Sequence, residues 1–253
     1  MITAAEILQE LMAEGSEVQA RHLMRFFKCG PGEYGEGDKF LGLKNPQTRS
    51  IVRLARREVS LAEMEKLLYC EWHEARLCGF LLLVEEMKAA LPKKKDVPVW
   101  GAERRDELAA FYLRHARQAN NWDLVDLSCP KILGEWLACP AADGELPSTE
   151  VLDRLAASTI LWEQRIAIVT TWRLIRDGRF DETLRIACRF LSHPHDLIHK
   201  ATGWMLREVG KKDVEALVAF LEENCARMPR TALRYAIERM SEPDRQYWLT
   251  RKS

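Results

Sequence analysis

Apolar residues fall three and four positions apart along nearly the whole 253-residue chain. Runs that alternate with period two are almost absent, so the pattern predicts helices and no sheet. Starts and stops are marked by chemistry. Thr3 stands three residues before Glu6, the spacing at which a hydroxyl and a carboxylate satisfy each other's free amides. Asn45-Pro46 predicts a cap followed by proline at the first helical position. Ser60 precedes LAEMEKLLYC, Ser148 precedes TEVLDRLAAS, Pro229 opens RTALRYAIERM and Ser241 precedes EPDRQYW. Gly178 after TTWRLIRD and the stretch Gly210-Lys211-Lys212 predict stops. The punctuation divides the chain into about a dozen helices joined by short connections.

Neighbouring helices come in pairs. An all-α chain of helix pairs of this size resembles a HEAT-like helical-repeat solenoid, with repeats of roughly 40 to 47 residues. A globular helical bundle is the alternative. No stretch reads as a domain linker, so a single α-helical domain over residues 1–253 is expected.

Composition narrows the class. Lys+Arg and Asp+Glu both number 38, giving zero formal net charge. That argues against a histone-like polycation but not against a local basic stripe on phosphate. No apolar run approaches the roughly 20 residues that cross a bilayer, and MITAAEILQELMAEG reads as an amphipathic helix rather than a signal peptide. Seven scattered cysteines without a CxxC pair predict reduced, mostly buried thiols in a cytoplasmic protein. Nothing marks a dimer seam, so a monomer is expected, with no membrane partner.

Three segments invite readings that their chemistry weakens. CGPGEYGEGD is glycine-rich, but a phosphate cradle needs Gly amides, a Lys and a helix N-terminus. Here Glu33, Glu36 and Asp38 would repel phosphate, so a rigid surface loop is expected and no nucleotide cofactor. Tyr34 within it could reach a neighbouring groove. SHPHDLIHK places His195 and His199 four apart with Asp196 between, a variant of the zincin pattern. It lacks a third ligand nearby, and Asp196 is equally suited to a helix start; no metal is expected. LPKKKD is a charged loop, ordinarily solvated, with phosphate contact as the other reading.

Three helical segments carry a tryptophan beside an ionised or amide side chain. NNWDLVD supplies Trp122 and Asp126, four apart and so on one face. LWEQRIAI supplies Trp162, Gln164 and Arg165. HKATGWMLREVGKK supplies Lys200, Trp204, Arg207 and Lys211 along one stripe. A core stripe is not three-quarters cationic, so a wet, positive face holding one indole is expected, suited to a nucleic-acid backbone. A solvated helix face with a half-buried Trp is the plainer reading of each helix alone.

At these segments the chain resembles the AlkD-type DNA alkylation-repair glycosylases, a family of HEAT-like proteins. The resemblance rests on WDLVD (122–126), LWEQRIA (161–167) and HKATGWMLRE (199–208), with FLGLKNPQTR (40–49) and MPRTALRYAIERM at either end. It implies a curved solenoid whose concave, positive groove holds duplex DNA containing alkylated bases. Trp122 and Trp204 would flank the damaged nucleotide, Asp126 would be the catalytic carboxylate and Arg165 would touch the backbone. Gln164, Lys200, Arg207 and Lys211 complete the expected DNA contacts. The implied reaction is hydrolysis of the N-glycosidic bond of cationic purines such as N3-alkyladenine and N7-alkylguanine, with the base left stacked and no cofactor. The contrasting reading is a non-catalytic HEAT-like scaffold for DNA or protein. A carboxylate inside a DNA-facing groove weakens simple binding, which counts against the scaffold.

Overall fold

The computed structural model describes residues 1–93, 97 and 99–251. Among them the regular structure is helical, and the one strand-like feature is an isolated bridge between Lys39 and Trp72. The all-α expectation holds. Contacts divide the chain into two compact units, residues 1–132 with 141–144, and residues 133–140 with 145–253. Lys94, Lys95 and Asp96 of the LPKKKD cluster lie outside the described residues.

The first unit holds α1 (Ala4–Ala13), α2 (Glu17–Phe26), α3 (Asn45–Ala55), α4 (Leu61–Leu68), α5 (His73–Ala89), α6 (Ala102–Arg114) and α7 (Trp122–Cys129). Its centre is α5, buried without interruption from His73 to Val84. A helix buried on every side lies inside a core, and the polar residues of this stretch, His73, Glu74 and Arg76, all have hydrogen-bond partners there. Helices α1, α3, α4, α6 and α7 pack against it. By contrast α2 buries none of its residues.

Local chemistry sets these boundaries. The Thr3 hydroxyl accepts from the Glu6 amide at 3.3 Å while the Glu6 carboxylate accepts from the Thr3 amide at 2.8 Å. Ser60 caps α4 through the Glu63 amide at 3.3 Å. At α3 the expectation shifts by one position. Asn45 is already helical, and the Gln47 side chain accepts from the Lys44 amide at 2.9 Å instead. The FLGL segment is clamped by the buried carboxylate of Glu74, which accepts from the amides of Leu41, Gly42 and Leu43 at 2.9, 2.8 and 3.1 Å. Gly42 has φ +92°, and a Cβ there would overlap the Ser16 carbonyl.

The second unit holds α8 (Glu135–Ala138), α9 (Glu150–Ala156), α10 (Leu161–Arg176), α11 (Asp181–Phe190), α12 (Asp196–Lys212), α13 (Val214–Asn224), α14 (Arg230–Ala236) and α15 (Glu242–Thr250). Helix α12 is central, packing on α10, α11, α13 and α14. The Ser148 start falls slightly later, since α9 begins at Glu150 and Ser148 accepts from the Glu150 amide at 3.3 Å. Gly178 ends α10 with φ +77° as expected.

Gly210 does not end a helix. It lies inside α12 and lets Leu217 of α13 approach, where a Cβ would overlap the leucine Cδ2. The stop comes from Asp213, whose carboxylate caps α13 through the Ala216 amide at 2.9 Å. Gly203 plays the same packing role against α14, and an added Cβ would sit 2.5 Å from Tyr235 Cβ. Gly203→Ala is therefore expected to lower stability by about 1–3 kcal/mol despite alanine's better helix propensity. Denaturant unfolding measures this, and a stabilised variant would show that α12 and α14 do not pack so closely.

All seven cysteines are free. Fewer are buried than expected: Cys78, Cys129 and Cys225 are buried, while Cys188 is exposed. Among the described residues no helix is long and apolar enough to cross a membrane.

Candidate active site

Trp122 opens α7, with the buried Asn121 before it accepting from the Trp122 amide at 2.9 Å. One turn on stands Asp126. Both are half-buried, while Leu124, Val125, Ser128 and Cys129 turn inward. The helical spacing therefore does bring the indole and the carboxylate onto one face that solvent reaches.

Beneath that face α7 is held by polar anchors. Asp123 is 4% exposed and its Oδ2 meets His73 Nε2 at 2.9 Å. The other ring nitrogen of His73 meets Asp38 Oδ2 at 2.7 Å, and Arg76 pairs with Asp38 as well. Further along, Ser128 donates to the Leu124 carbonyl at 2.5 Å and lies 3.0 Å from the buried Tyr112 hydroxyl. Burial raises the Tyr112 phenol well above its ordinary pKa, so it is a neutral hydrogen-bonding group.

His73 is 2% exposed yet carries charge. Burial alone would strip its proton, but the carboxylates of Asp123 and Asp38 outweigh burial and lift its pKa to about 9. Burial likewise pushes Asp38 upward, and His73 and Arg76 overcome this and hold it below the usual carboxylate range. The result is a buried chain of opposite charges linking the 29–38 loop, α5 and the first turn of α7.

An aromatic column rises beside this chain. His73 stacks on Phe40 with ring centres 4.3 Å apart, and Phe40 stacks on Phe27 at 5.1 Å. Phe27 stacks on Trp122 at 5.2 Å, and Phe26 meets Trp122 edge-on at 5.8 Å. Ring packing and the ion chain thus fix the indole and its helix from two sides. The 29–38 loop is the surface loop that its composition predicts over most of its length, but it is anchored at its end by a buried charge. Glu33 and Glu36 cap the loop's own Gly30 and Gly32 amides at 2.9 and 3.0 Å, and Asp38 is buried as an ion-pair partner. The sequence pattern marks Asp38 only as a loop charge and does not single out His73 or Asp123. The available signal was the first aspartate of WDLVD, adjacent to Trp122 and unexplained by the surface reading.

The second unit places its residues differently from the expected wet, positive face. Lys200 pairs with Asp196 at 2.8 Å, Lys211 with Glu208 at 2.7 Å, and Arg207 with Glu238. Each cation of the α12 stripe therefore has a carboxylate beside it, which neutralises the stripe at close range. Trp204 is half-buried on that helix. Arg165 is 5% exposed and donates to the Leu197 carbonyl at 2.6 Å, so it holds the first turn of α12. Gln164 donates to the Ser158 carbonyl at 2.7 Å and meets His193 Nε2 at 2.9 Å. Trp162 is buried.

The HDxxH residues serve the same helix start. His195 accepts from the Leu197 amide at 3.1 Å through Nδ1, which makes the imidazole the cap in place of Asp196. His199 meets the His193 carbonyl at 2.5 Å. Among the described residues no group of three or more His, Cys, Asp or Glu side chains is placed to hold a metal ion.

A family model described as DNA alkylation repair enzyme matches residues 7–240 of this chain. A solved structure titled "Predicted DNA alkylation repair enzyme from Enterococcus faecalis" superposes with a TM-score of 0.64 at 16% identity, covering 90% of this chain and 98% of that one. At that identity the superposition speaks for the fold. No curated protein matches.

Proposed function

The chain belongs to the DNA alkylation repair enzyme family, and from that premise we propose that it is a DNA glycosylase releasing cationic alkylated purines from duplex DNA. The observation that carries this reading is α7. It presents an indole and a carboxylate on one reachable face and is anchored below by buried ions.

Alkylation at N3 or N7 leaves the purine positively charged and already a good leaving group. Ordinary glycosidases need one carboxyl to protonate the leaving group and a second to act at the sugar. Here one suffices. Asp123 is committed to His73, and Asp126 is the carboxylate of α7 on the open side. As the bond from C1′ to nitrogen breaks, its electron pair leaves with the base and neutralises it. Positive charge then grows on the deoxyribose, where Asp126 stabilises it and orients the attacking water. Water adds to C1′, and its proton passes to Asp126 or solvent. The Trp122 face adds about 0.5–2 kcal/mol of preference for a cation.

Of the remaining roles, that of Trp204 comes from the family resemblance and those of the backbone-facing residues from the helical pattern. Trp204 is assigned to the DNA sugar-phosphate. Lys200, Arg207, Lys211 and Gln164 are assigned to the backbone, and each must exchange a protein partner to reach phosphate. Arg165 enters this reading as the residue that fixes the first turn of α12. The lesion stays stacked, so adduct size is not limited by a base pocket.

A panel of defined duplexes tests the chemistry. N7-methylguanine, N3-methyladenine and bulky N3 adducts should leave faster than they do spontaneously, and uncharged alkylated bases should not. Release of neutral bases at comparable rates would require a general acid and overturn the single-carboxylate mechanism.

A further inference from the structure

Unpaired positive charge gathers in the first unit, on a helix that the sequence pattern does not mark as a positive face. Helix α3 buries Thr48, Val52 and Ala55. Its outer side carries Arg49 and Arg53, four residues apart, and then Arg56 and Arg57, all exposed. Among the described residues none of these four arginines makes an ion pair, and Arg53 makes only a long contact of 3.4 Å to Ser50. Lys131, just beyond α7, is half-buried and within reach of the charge of Arg49.

Burial lowers the Lys131 pKa first, and the charges of Arg49 and Lys88 lower it further, against the opposing pull of Glu85. Lys131 therefore feels the charges of both Arg49 and Lys88, of which Lys88 has Glu85 3.8 Å away. Such crowding is costly unless something negative relieves it. The cations of α12 show what relief within the protein looks like, since each has its own carboxylate. On α3 that relief is missing among the described residues, in a chain whose formal charge balances to zero.

We infer that Arg49 and Arg53 of α3, with Lys131 beside Arg49, form a phosphate-binding face that engages the backbone of duplex DNA. Two arginines four apart on a helix rise by about 6 Å, so they meet a row of phosphates rather than one isolated anion. The planar fork of each guanidinium suits phosphate oxygens. Lys131 lies five residues beyond Asp126, so the face grips DNA within the unit that carries the carboxylate. The inference rests on the reading that duplex DNA is the substrate.

The test uses the full chain, wild type beside Arg49→Gln/Arg53→Gln, with fluorescence anisotropy on an undamaged duplex across a range of salt. Each lost phosphate contact lowers the slope of log K against log salt by about 0.9, so the double variant should lose roughly two units of slope. Adding Lys131→Gln should remove about one more. Because both arginines are exposed, the melting temperature should match wild type. An unchanged slope in a folded double variant overturns the face, as does a flat salt response in the wild type. Release of N7-methylguanine by the wild type, measured on the same preparation, keeps the two claims apart. Release with an unchanged slope rejects the α3 face alone, whereas a reduced slope without release keeps the face and rejects the glycosylase.

Discussion

A chain carrying His73→Leu is expected to lose about 3–5 kcal/mol of folding stability, the range for removing one partner of a buried ion pair. Asp38 keeps Arg76, but Asp123 loses its only charged partner in the network. The second oxygen of Asp123 is already buried without a hydrogen-bond partner, so nothing nearby compensates. The loss falls on the first turn of α7, and excision should fall along with stability. His73→Gln separates the two effects, because it can keep hydrogen bonds but cannot carry the charge.

The same network predicts a pH dependence with a definite sign. The folded pKa of His73, about 9, lies above its ordinary 6.5. A group raised on folding stabilises fully below the unfolded value, and that contribution fades as pH rises through the folded value. Wild-type stability should therefore decline between about pH 6.5 and 9 by roughly 3 kcal/mol from this group. Asp38 acts in the opposite direction, its depressed pKa costing stability in acid. Chemical denaturation of wild type and His73→Gln across the alkaline window gives the comparison. Parallel curves would mean that His73 carries no proton in the folded protein.

Asp126→Asn is the second change of large effect. Asn is nearly the same size, and the position is half-buried, so the fold should survive. Removing one electrostatic stabiliser of a transition state typically costs about 100- to 1000-fold in rate. Duplex affinity should stay equal or tighten, because a negative charge near phosphate is gone. A variant that binds more weakly while still folded would place Asp126 outside the DNA-facing side. One that excises normally would remove it from the chemistry.

Much of this was legible in the sequence, and the exceptions have physical causes. Caps within three residues, such as Thr3 with Glu6 and Ser241 with Asp244, depend on local geometry alone and are found as expected. The shared face of Trp122 and Asp126 follows from helical period. Gly210 defeats the same reasoning, because a glycine before two lysines reads as a stop and only the approach of Leu217 explains it. The Asp38–His73–Asp123 chain joins positions 35 and 50 residues apart, beyond any periodicity. For the α12 stripe, part of the signal was present and missed. Asp196 and Glu208 stand four and three residues from Lys200 and Lys211, at salt-bridge spacing. Glu238 reaches Arg207 only through the packing of α14 on α12. Counting cations on a helix face without the acids beside them turned a neutralised stripe into a positive one. Arg49 closes the FLGLKNPQTR segment, but only the fold shows that it and Arg53 lack an acidic partner among the described residues.

The most direct measurement is single-turnover release of N7-methylguanine from a defined duplex, wild type beside Asp126→Asn. Release by the wild type well above the spontaneous rate, with the variant reduced to near background, is the predicted result. Equal release by both proteins, or none by a wild type that binds the duplex, would contradict the account.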